Sequence, residues 1–278
     1  MRKRIKIGAV SYLNTKPLVF GLSQRLPDAD LVYDLPSRLA DRLSSGDLDV
    51  ALIPSLEYFQ DRSYRIVSDA CIACRGPVMS VRMLSRVPAS KIRSLALDEG
   101  SRTSAGLIQV LLWRRFQLRP QLVPFPIGST VPPGDVDAIL IIGDRAMHVD
   151  AGQHGQYQHG QYVENWDLGD EWCRWAELPF VFAMWVARRG VDTVDIETAL
   201  AESRDDGLRN LEEIVRVEAR RANLTQEMCL IYFRDHLHFF LGESERAGLT
   251  AFHRYLVELG LAPSDWKIEA QLNGCQAT

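Results

Sequence analysis

The feature that most constrains the fold is the alternation of strand and helix patterns along the first third of the chain. Residues 5–10, 31–34 and 50–53 have strand patterns, and helical patterns fill residues 15–22 and a short stretch that Ser37 caps. The strand at residues 50–53 is continuously apolar, which is typical of a strand buried on both faces of a parallel sheet. The alternation therefore predicts an open α/β sheet.

A second alternating unit occupies the middle of the chain. Strand patterns cover residues 78–84, 94–97, 121–125, 136–142 and 179–187, and a helical pattern covers residues 104–116. From residue 192 to about residue 259 the pattern is helical, with charged residues among leucine, isoleucine and phenylalanine. Two separate alternating units predict two lobes.

We expect a two-lobed α/β fold in which the second lobe is inserted into the first. Residues 1–88 and 188–278 would form lobe one, including the C-terminal helices, and residues 89–187 would form lobe two. The chain would cross between the lobes near residues 83–93 and 183–190. In such a fold a ligand binds in the cleft between the lobes, at the carboxyl ends of strands and the N-termini of helices.

Composition and charge exclude several classes of protein. A net charge of −4, with only a short basic start at residues 2–6, argues against nucleic-acid binding. The apolar stretch at residues 7–13 is too short for a signal peptide and runs into Asn14, Thr15 and Lys16. No apolar run approaches the roughly 18 residues of a membrane helix. We therefore expect a cytoplasmic protein with neither a nucleic-acid nor a membrane partner.

The cysteines indicate a reducing compartment, because there are five of them, an odd number. Cys71 and Cys74 form a C-x-x-C motif, but no second such motif and no histidine pair at ligand spacing accompanies it. We interpret the two as small buried apolar residues at a strand edge, and we predict no metal site.

The first polar segment that could carry chemistry is Ser11-Tyr12-Leu13-Asn14-Thr15-Lys16-Pro17, between the first strand and the first helix. A helix N-terminus exposes unpaired N–H groups and carries the positive end of the helix dipole, so it attracts carboxylates. Simple capping of the helix explains Thr15 and Pro17 equally well, but it does not explain Tyr12 beside Asn14.

A second segment of this kind is Asp98-Glu99-Gly100-Ser101-Arg102-Thr103-Ser104, before the helix predicted at residues 104–116. Its three hydroxyl groups can donate hydrogen bonds, and Arg102 can pair with an anion. Capping and anion binding explain these residues about equally well, and the pattern leaves both open. Two such helix starts, one in each lobe, favour a small anionic ligand.

Two further residues follow or lie on strands near the predicted cleft. Ser80 would lie on a strand close to the cleft, and Asp144 follows the apolar strand at residues 136–142, where a structural cap or ion pair is the simpler interpretation. No G-x-S-x-G, P-loop or G-x-G-x-x-G motif is present, so acyl transfer, nucleotide hydrolysis and dinucleotide chemistry lack support.

Six blocks of the sequence match one known family: residues 11–17, 48–55 with 57–58, 76–78 with 80–81, 97–98 with 101–104, 142–144, and 178–183 with Trp185. Together they resemble the chorismate dehydratase family, which opens the futalosine route to menaquinone and has the type II periplasmic-binding-protein fold. The resemblance covers residues 5–190 and is thin beyond. One departure is Ala176-Glu177, where the family suggests a small Thr-Gly-like pair.

The resemblance implies that the chain removes water from chorismate and forms 3-[(1-carboxyvinyl)oxy]benzoate, without a metal or organic cofactor. It implies that Asn14 and Ser80 are catalytic and orient the substrate near its reacting carbons. Neither is a strong base at neutral pH, so we hypothesise that the enolpyruvyl carboxylate of the substrate takes the proton. The residues expected to bind substrate are Ser11, Tyr12, Ser55, Ser101, Arg102, Thr103, Ser104 and Asp144.

Two alternatives remain open from the sequence. The same fold serves solute capture, so a non-catalytic cytoplasmic protein that binds a small carboxylate is one of them. The other is the sister enzyme that makes 1,4-dihydroxy-6-naphthoate, for which we would expect a different N-terminal motif and a catalytic histidine in the cleft.

Overall fold

The structure is a computed structural model, and it describes residues 4–127, 129, 134–149 and 162–265. Its strands are β1 Lys6–Val10, β2 Asp30–Asp34, β3 Val50–Pro54, β4 Arg65–Cys74, β5 Val81–Ser85, β6 Ser94–Asp98, β7 Gln121–Phe125, β8 Ala138–Ile142, β9 Glu164–Asp167, β10 Phe180–Ala187 and β11 His238–Phe240. Its α-helices are α1 Leu22–Arg25, α2 Pro36–Ser44, α3 Ser55–Tyr58, α4 Arg102–Phe116, α5 Leu168–Ala176, α6 Val194–Arg209, α7 Leu211–Arg221, α8 Gln226–Ile231 and α9 Glu243–Leu259. Short 3-10 segments cover Leu13–Val19, Ala89–Lys91 and Asp144–His148, and a π-helical turn covers Tyr232–His236.

The strands form two mixed sheets, one for each lobe. The first sheet has the order β11-β4-β10-β3-β1-β2, and the second has the order β7-β6-β8-β5-β9. In the first sheet β1 pairs in parallel with β2 and β3, whereas β10 is antiparallel to both β3 and β4. Every residue of β3 is buried, as its continuous apolar run predicts. The two-lobed α/β fold class is confirmed.

The membership of two strands differs from the expected lobe boundaries at residues 88 and 188. Strand β5 belongs to the second sheet, where it pairs with β8 and β9, and β10 belongs to the first sheet, between β3 and β4. The chain therefore crosses between β4 and β5 and again between α5 and β10. Four of the five residues of β5 and every residue of β10 are buried, as in the central strands of either sheet, so only pairing decides between the sheets.

Three local predictions were wrong or incomplete. The helix predicted at residues 15–22 is instead a 3-10 segment, Leu13–Val19, which Gly21, with a left-handed φ of 69°, separates from α1. The helical pattern after residue 192 is interrupted by β11. Strand β4 was not predicted, and it contains Cys71 and Cys74, which are buried as expected but lie inside the sheet between β10 and β11.

The core of the first lobe holds the 3-10 segment against α6. Gly207 of α6 lies against Pro17, since a Cβ at position 207 would stand 2.1 Å from the backbone oxygen of Pro17. Any side chain there would push α6 away from the segment, so the glycine fixes the position of the residues around Asn14. Among the described residues, no helix is long and apolar enough to cross a lipid bilayer.

Candidate functional site

A cavity lies between the two sheets, at the carboxyl ends of β1, β3 and β8, and it is partly open to solvent. This is the place where α/β proteins of two lobes generally bind their ligands. The polar side chains in its lining are Tyr12, Asn14, Ser80, Ser101 and Ser104, all of which were predicted from the sequence. Its apolar lining comprises Val10, Pro36, Pro54, Ile72, Val78, Val81, Ile142, Phe182 and Ala183, and Gly143 completes it.

Asn14 and Tyr12 reach the cavity from the turn after β1. The amide oxygen of Asn14 accepts a hydrogen bond of 3.3 Å from the Thr15 hydroxyl, so that turn presents its amide to the cavity. The Tyr12 ring packs on Gly143, whose hypothetical Cβ would stand 2.9 Å from two ring carbons. Burial, and then the nearby Asp98 carboxylate, raise the pKa of Tyr12 well above its usual value. Tyr12 is therefore a neutral phenol that can donate to a ligand.

Ser80 is held at the start of β5 by a turn with an unusual backbone. Met79, the preceding residue, has a φ of 61°, in the left-handed region that non-glycine residues rarely adopt. The Asp167 carboxylate stabilises this turn by accepting hydrogen bonds from the backbone N–H groups of Val78 at 2.9 Å and Met79 at 2.7 Å. The backbone oxygen of Ser80 also accepts from the Gly143 N–H at 2.9 Å. These contacts fix the Ser80 hydroxyl in the cavity wall.

The N-terminus of α4 points at the same cavity. Ser101 is its N-cap: the hydroxyl accepts from the Ser104 N–H at 3.3 Å and lies 3.1 Å from the Ser104 hydroxyl. The first turn of a helix leaves N–H groups without intrahelical partners and carries about half a positive charge. The two hydroxyls and the helix end together form a site suited to a carboxylate.

Five residues predicted to bind substrate do not line this cavity. Ser11 is exposed to solvent. Ser55 and Thr103 are fully buried behind the cavity, where Ser55 donates to the Val181 oxygen at 2.8 Å and Thr103 accepts from the Leu56 N–H at 3.0 Å. They join the starts of α3 and α4, so they support the cavity wall rather than face a ligand. The other two residues are Arg102 and Asp144.

Arg102 and Asp144 belong to the second lobe, and both contact residues of the first lobe. Arg102 forms ion pairs with Asp41 at 2.8 Å and Glu57 at 3.2 Å, and it lies on an outer groove next to the cavity. Asp144 accepts a hydrogen bond of 3.1 Å from the Leu13 N–H, which ties the second lobe to the turn that carries Asn14. Burial raises the pKa of Asp144, while the Leu13 N–H lowers it.

Sequence reasoning missed a buried ion pair beside the cavity. Asp98 is 2% exposed, pairs with Arg145, and accepts hydrogen bonds from the N–H groups of Gly100 at 2.8 Å and Ile142 at 3.2 Å. It therefore anchors the loop before α4 to β8 and cannot easily serve as a base. Asp98 stands in one of the blocks that carry the resemblance, but nothing in the sequence indicates its partner.

The chemistry available in the cavity is donation rather than proton abstraction. Among the described residues, the lining contains no carboxylate, imidazole, amine or thiol. It offers hydroxyl and amide donors and one helix N-terminus, together with aliphatic and aromatic carbon. Such a site can hold and polarise an anionic ligand that contains an apolar ring.

The fold defines the class of protein first. The structure is similar to that of protein AF1704 from Archaeoglobus fulgidus, with a TM-score of 0.72, 17% identity, and coverage of 93% of this chain and 98% of that one. It is also similar to the periplasmic aliphatic sulphonate binding protein SsuA from Escherichia coli, with a TM-score of 0.61, 14% identity, and coverage of 100% and 96%. The chain thus has the periplasmic-binding-protein fold.

The family follows from the sequence comparisons. The profile of the menaquinone biosynthesis family matches residues 5–258, farther along the chain than the blocks quoted above. The chain is also 30% identical to a chorismate dehydratase from Thermus thermophilus over 261 residues, which cover 88% of this chain and 93% of that protein. The chain therefore belongs to the menaquinone biosynthesis family, and the resemblance stated from the sequence is confirmed.

Proposed function

We propose that the chain is a hydro-lyase that removes water from chorismate to form 3-[(1-carboxyvinyl)oxy]benzoate in menaquinone biosynthesis. The observation that carries this proposal is the cavity itself, which brings Asn14, Ser80, Ser101 and Ser104 together around one apolar pocket. The Thermus thermophilus relative, named for the same activity, supports it. We keep the prediction of a cytoplasmic location, and we propose no cofactor.

The reaction requires one proton to leave C3 of chorismate and hydroxide to leave C4, after which the ring is aromatic and one water has been released. The C3 proton is acidified because the ring carboxylate is conjugated with the adjacent double bond. Donors that stabilise negative charge building on that carboxylate speed its removal. In our proposal the N-terminus of α4, with Ser101 and Ser104, binds this carboxylate, and Tyr12 can donate to either end of the substrate.

The proton needs a base that the cavity does not supply. The described lining residues contain no carboxylate, imidazole, amine or thiol, and Asp144 and Asp98 are engaged by backbone N–H groups. The enolpyruvyl carboxylate of chorismate is then the available base, with Asn14 and Ser80 orienting it and the leaving hydroxyl. The protein contributes position and electrostatics, which can supply much of a rate enhancement.

The test is incubation of the purified protein with chorismate and no additives, followed by absorbance and mass spectrometry. We expect enzyme-dependent loss of one water. Asn14→Ala and Ser80→Ala should each lower kcat/KM, while Ser23→Ala, an exposed serine outside the cavity, serves as the matched control. Chorismate that stabilises the fold against heat but is not converted would indicate a binding protein, and chorismate that does neither would refute the proposal.

A second variant tests the identity of the base. Asp144→Asn keeps the oxygen that accepts from Leu13, and we expect it to retain kcat within a few-fold. A loss of about 10²–10⁴-fold with unchanged chorismate binding would instead assign the proton transfer to Asp144. The same cavity lacks histidine among its described lining residues, which argues against the naphthoate-forming sister enzyme.

A further inference from the structure

One buried hydroxyl contacts the proposed site and comes from a distant part of the chain. Tyr232 stands at the start of the π-helical turn Tyr232–His236 and is 1% exposed. Its hydroxyl donates a hydrogen bond of 2.9 Å to the hydroxyl oxygen of Ser80. π-Helical turns are rare and frequently lie at functional sites. The contact joins the C-terminal part of lobe one to the start of β5.

The protonation state of Tyr232 is set by its surroundings. Complete burial raises the pKa of its phenol far above the usual value, and the hydrogen bond to Ser80 offsets only part of this effect. The phenol is therefore neutral and remains a donor throughout the pH range in which the protein is folded and active. It does not line the cavity, so any effect on a ligand must act through Ser80.

A serine hydroxyl has one hydrogen to donate and two lone pairs that accept. When Tyr232, which is not part of the cavity lining, donates to Ser80, it occupies one of these acceptor sites. The Ser80 hydrogen is then free to point towards the cavity, and an accepted hydrogen bond polarises the O–H group and strengthens its donation. The backbone of Ser80 cannot rotate to another arrangement easily, because the Asp167 carboxylate holds the turn before it.

We propose that Tyr232 is a positioning residue that makes Ser80 a one-directional hydrogen-bond donor to an oxygen of the bound substrate. This inference rests on the proposed function and deepens it. No proton is transferred in this role: Ser80 donates a hydrogen bond, Tyr232 donates one to Ser80, and both hydroxyls keep their hydrogens. Ser80 is in this account a donor and not a base.

The test is a double-mutant cycle of Tyr232→Phe and Ser80→Ala, assayed by steady-state turnover of chorismate. Tyr232→Phe alone should lower kcat by about three- to tenfold, the factor that one neutral hydrogen bond contributes, with KM changed less than twofold. In the Ser80→Ala background the same substitution should have no further effect on kcat. Tyr58 is another buried tyrosine outside the cavity lining, so Tyr58→Phe is the control for the loss of a buried hydroxyl and should leave kcat unchanged.

The outcomes separate this inference from the proposed function. Suppose that the wild type converts chorismate. If the two substitutions then lower kcat additively, or if Tyr232→Phe keeps the wild-type kcat, the role of Tyr232 is refuted and the proposed function stands. If the wild type binds chorismate without converting it, the same cycle is measured on the dissociation constant, and additivity again refutes the role. A wild type that neither binds nor converts chorismate refutes the proposed function and this role with it.

Discussion

Replacing Gly143 with alanine should damage both the stability and the activity of the protein. Gly143 has a φ of 72° and a ψ of −159°, a backbone conformation that is almost restricted to glycine. Forcing another residue into it costs about 1–3 kcal/mol. The new Cβ would also stand 2.9 Å from two carbons of the Tyr12 ring, closer than real contacts allow. The ring must then move, and overpacking of this kind costs about 1–3 kcal/mol more.

The expected loss of unfolding free energy is therefore about 2–6 kcal/mol, measured by urea denaturation. Because the ring that moves lies in the cavity wall, kcat/KM for chorismate should fall by about tenfold to hundredfold. Gly260→Ala is the matched control: Gly260 has a φ of 74° and a ψ of 22°, and a Cβ there would meet nothing within 4 Å. It should cost about 1–2 kcal/mol and leave kcat/KM unchanged.

The contact between Gly143 and Tyr12 and its effect on the substrate site are checked separately by comparing these two variants. If Gly143→Ala destabilises the protein no more than Gly260→Ala does, the contact between Gly143 and Tyr12 is not a packed one. If it destabilises the protein as expected but leaves chorismate turnover unchanged, the Tyr12 ring does not shape the substrate site.

Three further outcomes follow from individual contacts. Ser101→Ala removes the N-cap of α4, so it should lower the free energy of unfolding by about 1 kcal/mol and also raise the KM for chorismate. Thr225→Ala removes the N-cap of α8 and is the control: it should lower the free energy of unfolding by about the same amount and leave KM unchanged. Glu177→Gly should raise the free energy of unfolding by about 0.5–1 kcal/mol, because Glu177 ends α5 with a φ of 55°; an unchanged or lower value in urea denaturation would contradict this. Burial lowers the pKa of His253 in the folded protein, so the unfolded chain takes up a proton first as the pH falls below 6.5. The free energy of unfolding should therefore decrease from pH 6.5 down to the lower folded pKa, by at most about 1.4 kcal/mol per pH unit. The decrease should be shallower for His253→Gln in urea denaturation across this range, and an unchanged slope would count against the role of His253.

The departure from the family pattern at Ala176-Glu177 has a local physical effect but does not change the fold. Glycine would fit this position because the backbone there is left-handed. Glutamate adopts the same conformation at a modest cost, so the helix ends at the same place. The substitution affects local stability and leaves the assignment to the family intact.

Short stretches of sequence were enough to predict most of the strands and helices around the cavity and the polar residues at their ends. The apolar run at residues 50–53 indicated β3, and the hydroxyl-rich segment before α4 indicated a helix start that could face an anion. These features depend on residues close together in the chain, where backbone conformation, capping and burial are decided by neighbours. The resemblance then extended the prediction to Asn14 and Ser80, which the structure brings into one cavity.

Contacts between distant segments of the chain determine which of those residues face the cavity and what holds them there. Asp144 lies 131 residues from its partner Leu13, and Tyr232 lies 152 residues from Ser80. No local pattern distinguishes an aspartate that accepts from a distant backbone from one that faces a ligand. The expected boundaries at residues 88 and 188 assigned β5 and β10 to the opposite lobes for the same reason, since the composition of a buried strand does not reveal the strands with which it pairs. Pairing and burial between distant segments are set by the packing of the whole chain, and that packing selected Tyr12, Asn14, Ser80, Ser101 and Ser104 for the cavity.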